Sequence, residues 1–449
     1  MLLTEKILLP RTPIELPRTE RDIRLMTGIT PFSERVKAAW QLFANEAKHW
    51  ADIVVGQAND LTEEALVAAI EATLLVAIKR VSFMVRPSAT HPSKAELVIS
   101  LHGERLMLLK TLRLVESIPA EVKAHWVITV GHPTDFALAT MPIEGLALSD
   151  CMLWVTTAGS VTLTTPKTSY TPEELKMYET HPLNFNHYLD SSIDALNFEL
   201  PQVSLAIYAP ALAAKLKTDS VTATAWAHAL LAQTLGDVVM LRYVRNITVL
   251  STPRKGNAVT PAAVLDHLQR LVDMIATSPA AIAEDHYVYH RKREYNSDAR
   301  ARISRGMSTL PALVDQWYRG EDELFKECWE DGVFASMLTI ENYTFISDED
   351  YTDRAELCQD YTKELERISE NTPSIVRFIG SANGFEYSDD EFWFIDTLVW
   401  DYPAWVDVFQ RHFHPGKAPC LEDYCISTQI QAFHHHLEPS WQFVCNEYE

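Results

Sequence analysis

The chain has 449 residues, of which 47% are hydrophobic and 22% charged, and its formal net charge is −22. A globular chain of this length can bury two or three hydrophobic cores, and its aromatic residues argue against wholesale disorder. Glycine is scarce, with 14 residues, and the sequence contains no P-loop, no zinc-protease helix and no nucleophile-elbow motif, so it names no reaction.

The negative charge is concentrated near the C-terminus. Residues 1–285 contain 30 acidic and 25 basic side chains, a net charge of −5, whereas residues 286–449 contain 31 and 14, a net charge of −17. Between Glu321 and Asp407 the acidic residues outnumber the basic ones by 23 to 5. Such a surface repels phosphate and attracts cations or basic proteins, which argues against nucleic-acid binding.

The cysteines and the apolar runs bear on the compartment. Six cysteines are scattered along the chain, which predicts reduced thiols in a cytoplasmic protein. The N-terminal apolar run is interrupted by Glu5 and Lys6 and lacks the pattern of a signal peptide. The least charged long run, Val221–Leu241, contains His228, Gln233 and Asp237 and several threonines. It predicts a buried helix leading into a strand, and no membrane association.

Residues 1–30 repeat a Leu-Pro-Arg-Thr phrase at Leu9 and Leu16. Proline at this density predicts an extended arm that either lies on the body of the protein or docks a partner.

A first α/β unit is predicted over residues 31–134. Thr62 is expected to cap a helix, and the apolar periodicity predicts the other elements. They are helices Phe32–Val55 and Gly103–Ser117 and strands Val81–Arg86, Ala95–Leu101 and Trp126–Val130.

A second α/β unit, predicted to pack with the first, covers residues 135–285. Ala158-Gly159 predicts a hairpin between Cys151–Thr157 and Ser160–Thr165, and Thr171-Pro172 is typical of a helix start. The remaining predicted elements are strand Val203–Tyr208, helix Ala223–Leu235 ending at Gly236, strand Val238–Leu250 and helix Thr260–Ala276.

The third predicted unit, residues 286–449, is an acidic, aromatic-rich α+β domain that follows a basic linker between Arg291 and Arg305. Alternating helices and strands throughout the chain predict an α/β or α+β fold, with two or three mixed-sheet units and helices packed on the sheets. In this unit the predicted helices are Leu310–Tyr318, Glu321–Glu330, Tyr351–Ser369 and Pro403–Phe413, and the predicted strands are Val333–Ile340, Ile375–Ile379, Phe392–Trp400, Tyr424–Ile430 and Trp441–Cys445.

Three patterns admit both a chemical and a structural interpretation. A C-terminal group of imidazoles and thiols could bind zinc, but its spacing is typical of surface histidines and buried cysteines, so we predict no structural metal and no cofactor. Carboxylate runs could act in acid–base catalysis or simply lie on solvated loops. Gly380–Gly384 could bind an anion or form a tight turn. The zinc candidates are His412, His414, Cys420, Cys425, His434, His435, His436 and Cys445.

Two segments resemble known families. Over residues 32–250 the series Phe32, Trp40, Phe43, then Glu96–Ser100 and Gly103, then Trp126 before His132-Pro133, and finally Leu235-Gly236-Asp237, resembles a family of uncharacterised bacterial α/β proteins. The third unit, with Asp331-Gly332 before a strand, an acidic helix and then a sheet, is similar to acidic ribonuclease inhibitors of the regulator of ribonuclease activity B type. The second resemblance implies a protein that acts by binding an enzyme, and neither supplies catalytic residues.

The sequence therefore predicts a non-enzymatic acidic binding protein, of inhibitor or immunity type, that neutralises a basic partner such as a nuclease or toxin. An enzyme with an unidentified site and a regulatory scaffold protein are the alternatives. The acidic side chains would imitate phosphate charge, and the tryptophans would be anchors if they are exposed. The predicted partner-binding residues are Glu321, Asp322, Glu323, Asp348, Glu349, Asp350, Asp389, Asp390, Glu391, Trp393, Trp400 and Trp405.

Overall fold

The computed structural model divides into two compact units, one over Glu34–Val288 and one that combines Tyr289–Glu449 with the residues up to Ser33. Residues 34–285, which make up nearly all of the two predicted α/β segments, lie within the first of these units. The structure describes residues 30–166, 195–270, 278–292, 303–319, 321, 323–342, 362–385, 391–413, 426–432 and 443–444. Several sequence predictions concern segments outside these ranges. They are the N-terminal arm before residue 30, the helix start at Thr171-Pro172, the linker residues 293–302, the acidic residues 348–350 and 389–390, the first part of the helix Tyr351–Ser369 and most of the C-terminal histidines and cysteines.

The described residues alternate between helices and mixed or antiparallel sheets, which confirms the predicted α/β or α+β class. Within this part of the chain, no helix is long and apolar enough to cross a membrane. The helices are α1 (Phe32–Val54), α2 (Glu63–Leu74), α3 (Arg105–Glu116), α4 (Ala120–His125), α5 (Pro210–Thr218), α6 (Ser220–Leu235), α7 (Asp237–Tyr243), α8 (Pro261–Gln269), α9 (Pro279–Ala283), α10 (Pro311–Arg319), α11 (Glu323–Glu330), α12 (362–371) and α13 (Tyr402–Phe413). The strands are β1 (Phe83–Pro87), β2 (Ala95–Ile99), β3 (Trp126–Val130), β4 (Met152–Pro166), β5 (Ala195–Tyr208), β6 (Val244–Val249), β7 (His286–Lys292), β8 (Ile303–Ser308), β9 (Phe334–Asn342), β10 (Val376–Phe385), β11 (Glu391–Val399), β12 (Ile426–Ala432) and β13 (Phe443–Val444).

In the unit of residues 34–288, β2 is the central strand of a three-stranded sheet. It pairs antiparallel with β1 and parallel with β3, and Ile99 lies opposite Val130 at the carboxyl ends of the parallel pair. All five residues of β2 are buried, as expected of a strand covered on both faces. The aromatic face of α1 packs nearby, because the Phe43 and Trp126 rings lie 5.2 Å apart and the Trp126 indole donates to the carbonyl oxygen of Ala47 at 2.7 Å.

A second sheet in the same unit contains β4, β5 and β6. Strands β4 and β5 form a long antiparallel pair, and β5 continues to a parallel pairing with β6. The predicted hairpin at Ala158-Gly159 is wrong, because β4 runs straight through it with a shift of register between Thr157 and Gly159. The glycine marks an irregularity within one strand, where an extra residue is accommodated without reversing the chain.

The apolar run after Gly236 predicts one long strand over Val238–Leu250, and this prediction is wrong in its first half. Residues Asp237–Tyr243 form α7, and only Val244–Val249 form a strand. A short apolar run has no periodicity that separates a buried helix from a buried strand. Here Val238, Val239 and Met240 are all buried, and the local pattern alone does not show whether they lie in a helix or in a strand.

In the unit of residues 289–449, the described strands form an antiparallel series in the order β8, β10, β11, β9, β12, β13. The turn or anion loop predicted at Gly380–Gly384 is wrong, since these residues lie inside β10 and pair with β8 and β11. Gly380 is required by close approach, because a Cβ there would collide with the carbonyl oxygen of Met307 on β8. A glycine inside a strand commonly marks such an approach between two backbones.

Candidate functional site

Two of the predicted partner-binding carboxylates lie at the surface beside α10 and α11. The Glu321 Oε2 atom lies 3.0 Å from Nη2 of Arg319. Glu323 is exposed and accepts a hydrogen bond from the Gln316 side-chain amide at 3.1 Å. Both acidic groups are therefore accessible, although one is already paired with a cation. Of the other predicted residues, Asp322, Asp348, Glu349, Asp350, Asp389 and Asp390 fall outside the described residues, and Glu391 and Trp393 lie in β11.

The predicted anchors Trp400 and Trp405 are core residues. Each has 2% of its surface exposed, and the Trp400 ring lies 5.5 Å from that of Phe32. Neither can reach a partner at the surface, so the prediction of exposed tryptophan anchors is wrong for these two residues. The physical reason is their position, since Trp400 directly follows the buried end of β11 and Trp405 lies on the buried face of α13.

One carboxyl group in the acidic unit has an unusual environment. Burial, reinforced by the negative charge of Glu370, raises the pKa of Glu366 on α12 from 4.5 to about 7, and Lys363 opposes the shift. A glutamate with this pKa is partly protonated at neutral pH. Its protonated form stabilises the folded state fully below pH 4.5, and that stability is lost as the pH rises through about 7.

We expect the Glu366→Gln variant to remove this pH dependence. The amide cannot ionise, so the variant should gain stability relative to the parent protein above pH 7, by at most about 3 kcal/mol. Urea denaturation at pH 5 and pH 8.5 measures the difference. Glu370→Gln is the control, because it removes the neighbouring charge and should reduce the dependence without abolishing it. If the difference in stability between Glu366→Gln and the parent protein were the same at pH 5 and at pH 8.5, this expectation would be contradicted.

A second candidate site, which sequence reasoning did not identify, lies around Asp237 in the unit of residues 34–288. Asp237 is the first residue of α7 and is fully buried. Its Oδ2 atom accepts hydrogen bonds from the backbone N–H groups of His132 at 2.8 Å and Leu101 at 3.2 Å. Its own N–H donates to the carbonyl oxygen of His132 at 2.9 Å. The carboxylate thus joins the loops that follow the parallel strands β2 and β3.

Two imidazoles flank this carboxylate, and we call Asp237, His132 and His228 the Asp237 cluster. His132 follows β3, and His228 projects from α6 onto the backbone of Gly103, where any Cβ would collide with its ring. Gly103 has φ +72°, and the preceding residue, His102, also has a positive φ of 52°. A non-glycine residue in this region of backbone space is uncommon, and such residues gather at functional sites.

Both imidazoles of the cluster favour the neutral form. Burial lowers the pKa of His132 and of His228 below 6.5, and the nearby charge of Asp237 opposes the shift in each case. Arg86 lowers the pKa of His132 further. A neutral imidazole has one donor and one acceptor nitrogen, so it can accept a proton or hydrogen-bond a ligand.

The charge of Arg86 is already balanced. Its Nε donates to Glu96 Oε2 at 2.8 Å, and its Nη1 lies 3.6 Å from Asp135 Oδ2. The other oxygen of Glu96 accepts from the Thr129 hydroxyl at 2.7 Å. One guanidinium is therefore paired with two carboxylates, those of Glu96 and Asp135, and Asp237 adds a further negative charge beside His132. The surroundings of the cluster have an excess of negative charge.

The sequence contained only weak signals for this site. Leu101, His132, His228 and Asp237 are separated by as many as 136 residues, and no motif spacing relates them. In the described ranges, no group of three or more histidine, cysteine or acidic residues is placed to hold a metal ion. The Asp237 cluster combines a carboxylate that accepts two backbone hydrogen bonds with two titratable imidazoles. Comparison with known proteins adds no relative, since no protein-family model, no curated protein and no solved structure matches this chain.

Proposed function

We propose that this protein acts by binding a basic partner protein through its acidic C-terminal unit, as an inhibitor or immunity-type protein that neutralises a nuclease or toxin. The observation that carries the proposal is the charge of −17 over residues 286–449, against −5 over residues 1–285. Charge of one sign attracts an oppositely charged partner from a distance and repels partners of like charge. The resemblance of this unit to acidic ribonuclease inhibitors points in the same direction.

The surface chemistry supports a partner recognised mainly by charge. Glu323, Glu330 and Glu370 are exposed on α11 and α12, whereas Trp400 and Trp405 are buried. Without these two aromatic anchors, the binding energy would come more from long-range attraction than from a buried hydrophobic centre. We also propose a cytoplasmic location, since the six cysteines are scattered along the chain without the dense spacing of a disulfide framework.

Binding to the basic partner should be steered by charge. We expect the association rate to fall steeply as salt is raised, because screening shortens to about 8 Å at physiological ionic strength. Neutralising three exposed carboxylates of the acidic unit should slow association more than it speeds dissociation. Surface plasmon resonance over a series of salt concentrations measures both rates. The combined variant is Glu323→Gln, Glu330→Gln and Glu370→Gln.

A matched control separates the effect of charge in the acidic unit from the effect of the net charge of the whole chain. Combining Glu63→Gln, Glu71→Gln and Glu121→Gln changes the net charge equally, but these exposed residues belong to the unit of residues 34–288. This control should leave the association rate nearly unchanged. A captured partner with an acidic surface, an affinity indifferent to salt, or equal effects from both triple variants would rule out recognition by the acidic unit.

An enzyme is the second candidate, and the Asp237 cluster is the specific observation that favours it. A buried carboxylate beside two neutral imidazoles is an arrangement used in general acid–base catalysis. The cluster belongs to the nearly neutral unit rather than the acidic one. The two functions are therefore compatible within one chain.

A further inference from the structure

The second oxygen of the Asp237 carboxylate is an unused acceptor. Oδ2 receives the two backbone N–H groups described above, whereas Oδ1 is enclosed and has no hydrogen-bond partner among the described residues. Three residues earlier, the hydroxyl of Thr234 is also enclosed and has no partner in the same ranges. Buried polar groups in folded proteins are nearly always paired, so two such atoms beside the α6–α7 junction call for an explanation.

The position of these atoms is one where α/β folds bind small molecules. The loops that Asp237 joins follow β2 and β3, which are parallel, and Ile99 and Val130 mark their carboxyl ends. Ligands of open α/β sheets bind outside the carboxyl ends of the strands. Asp237 is fully buried, whereas His132 and His228 are both partly exposed, so the two imidazole residues are the part of the cluster that solvent reaches.

The charges around the cluster decide which kind of ligand fits. The guanidinium of Arg86 is paired with the carboxylates of Glu96 and Asp135, and Asp237 adds a third carboxylate beside His132. An anion such as phosphate would add negative charge to an already negative region. A cation that donates hydrogen bonds would satisfy Asp237 Oδ1 and offset the excess charge, because charge-assisted hydrogen bonds are the stronger kind.

We propose that the Asp237 cluster is a binding site for a small organic amine. The protonated amino group donates one N–H to Asp237 Oδ1 and the other two to acceptor nitrogens of His132 and His228. The imidazoles accept these bonds in their neutral form. No bond is made or broken, and the proposal is independent of the partner-binding role of the acidic unit.

The test uses ethanolamine as the probe and the ring signals of the histidines in NMR spectra of the full chain as the readout. Saturable shifts are expected for His132 and His228. The Asp237→Asn variant should weaken ethanolamine binding by roughly tenfold or more, as expected when a charged hydrogen bond is lost. Ethylene glycol, which has nearly the same shape but no charge, should bind with an affinity roughly tenfold lower for the same reason. Inorganic phosphate should not compete with ethanolamine for the site.

His49 provides an internal control for non-specific attraction between amines and carboxylates. Its Nε2 lies 3.2 Å from the carboxylate of the exposed Asp60, so it samples an imidazole–carboxylate pair at the surface. Ethanolamine shifts at His49 as large as those at His132 and His228 would overturn the proposal. So would the absence of saturable shifts, unchanged binding to Asp237→Asn, or equal affinity for ethylene glycol.

Asp237 also holds the two loops together, so Asp237→Asn could fail to fold. His228→Gln then replaces it, because this change leaves the backbone hydrogen bonds to Asp237 in place. It should weaken ethanolamine binding while the His132 signal still reports the site. An affinity for ethanolamine, read from the His132 signal, that is unchanged in a folded His228→Gln variant would count against the amine site.

Discussion

Replacing Trp400 with alanine is expected to lower the free energy of unfolding by about 3–5 kcal/mol, the usual cost of a large cavity in a core. Trp400 is 2% exposed and its ring lies 5.5 Å from that of Phe32. Its backbone N–H donates to Ile375 at 2.8 Å, and its carbonyl oxygen accepts from Ser33 at 3.0 Å. The alanine variant keeps these backbone bonds, so the loss would measure packing of the indole alone.

Chemical denaturation followed by circular dichroism measures the effect of Trp400→Ala. Trp226→Ala is the matched control, because Trp226 is only half-buried on α6 and its ring faces Lys215 Nζ at 5.6 Å. It should lose clearly less stability. At temperatures where Trp400→Ala stays folded, its affinity for a basic partner should be unchanged. A stable variant with a specific binding defect would instead restore Trp400 to the partner-binding surface.

Replacing Arg242 with methionine is expected to cost about 3–5 kcal/mol, because it leaves a buried carboxylate without its cation. Arg242 Nη2 donates to Asp285 Oδ1 at 3.0 Å, and the Nε and Oδ2 atoms lie 2.9 Å apart. The two side chains are 14% and 8% exposed. Even with this pairing, burial raises the pKa of Asp285, while Arg242 and Arg105 lower it.

The loss in Arg242→Met should depend on pH in a defined direction. Without Arg242 the pKa of Asp285 rises further, so its protonated form becomes the stabilising one. That contribution is complete below the ordinary value of 3.8 and is lost as the pH rises through the raised pKa. The deficit should therefore be larger at pH 8 than at pH 5.

Two further variants test the ion-pair explanation. Adding Asp285→Asn to Arg242→Met removes the uncompensated charge and should recover part of the stability at pH 8. Arg245→Met is the control, since Arg245 is an exposed residue on β6, and exposed substitutions usually change stability by less than about 0.5 kcal/mol. A pH-independent deficit in Arg242→Met, with no recovery in the double variant, would show that lost packing explains the effect.

The sequence by itself determined the class of the fold and many of its elements, because these depend on local chemistry. The strand Trp126–Val130 was predicted with the bounds it has in the structure. The Thr62 hydroxyl caps α2 by accepting from the N–H of Ala65, as its residue type and position indicate. Periodicity, caps and charge balance act over a few residues, so they can be read without knowing what lies opposite.

The tertiary structure alone decided the remaining features, because they depend on what each residue meets across the fold. Gly380 lies within a strand rather than a turn since Met307 approaches its backbone. Trp400 is a core residue rather than a surface anchor because Phe32 covers it. Asp237 gathers its cluster across as many as 136 residues of chain. No local pattern records such distant neighbours, and burial and hydrogen bonding between them determine where these side chains lie.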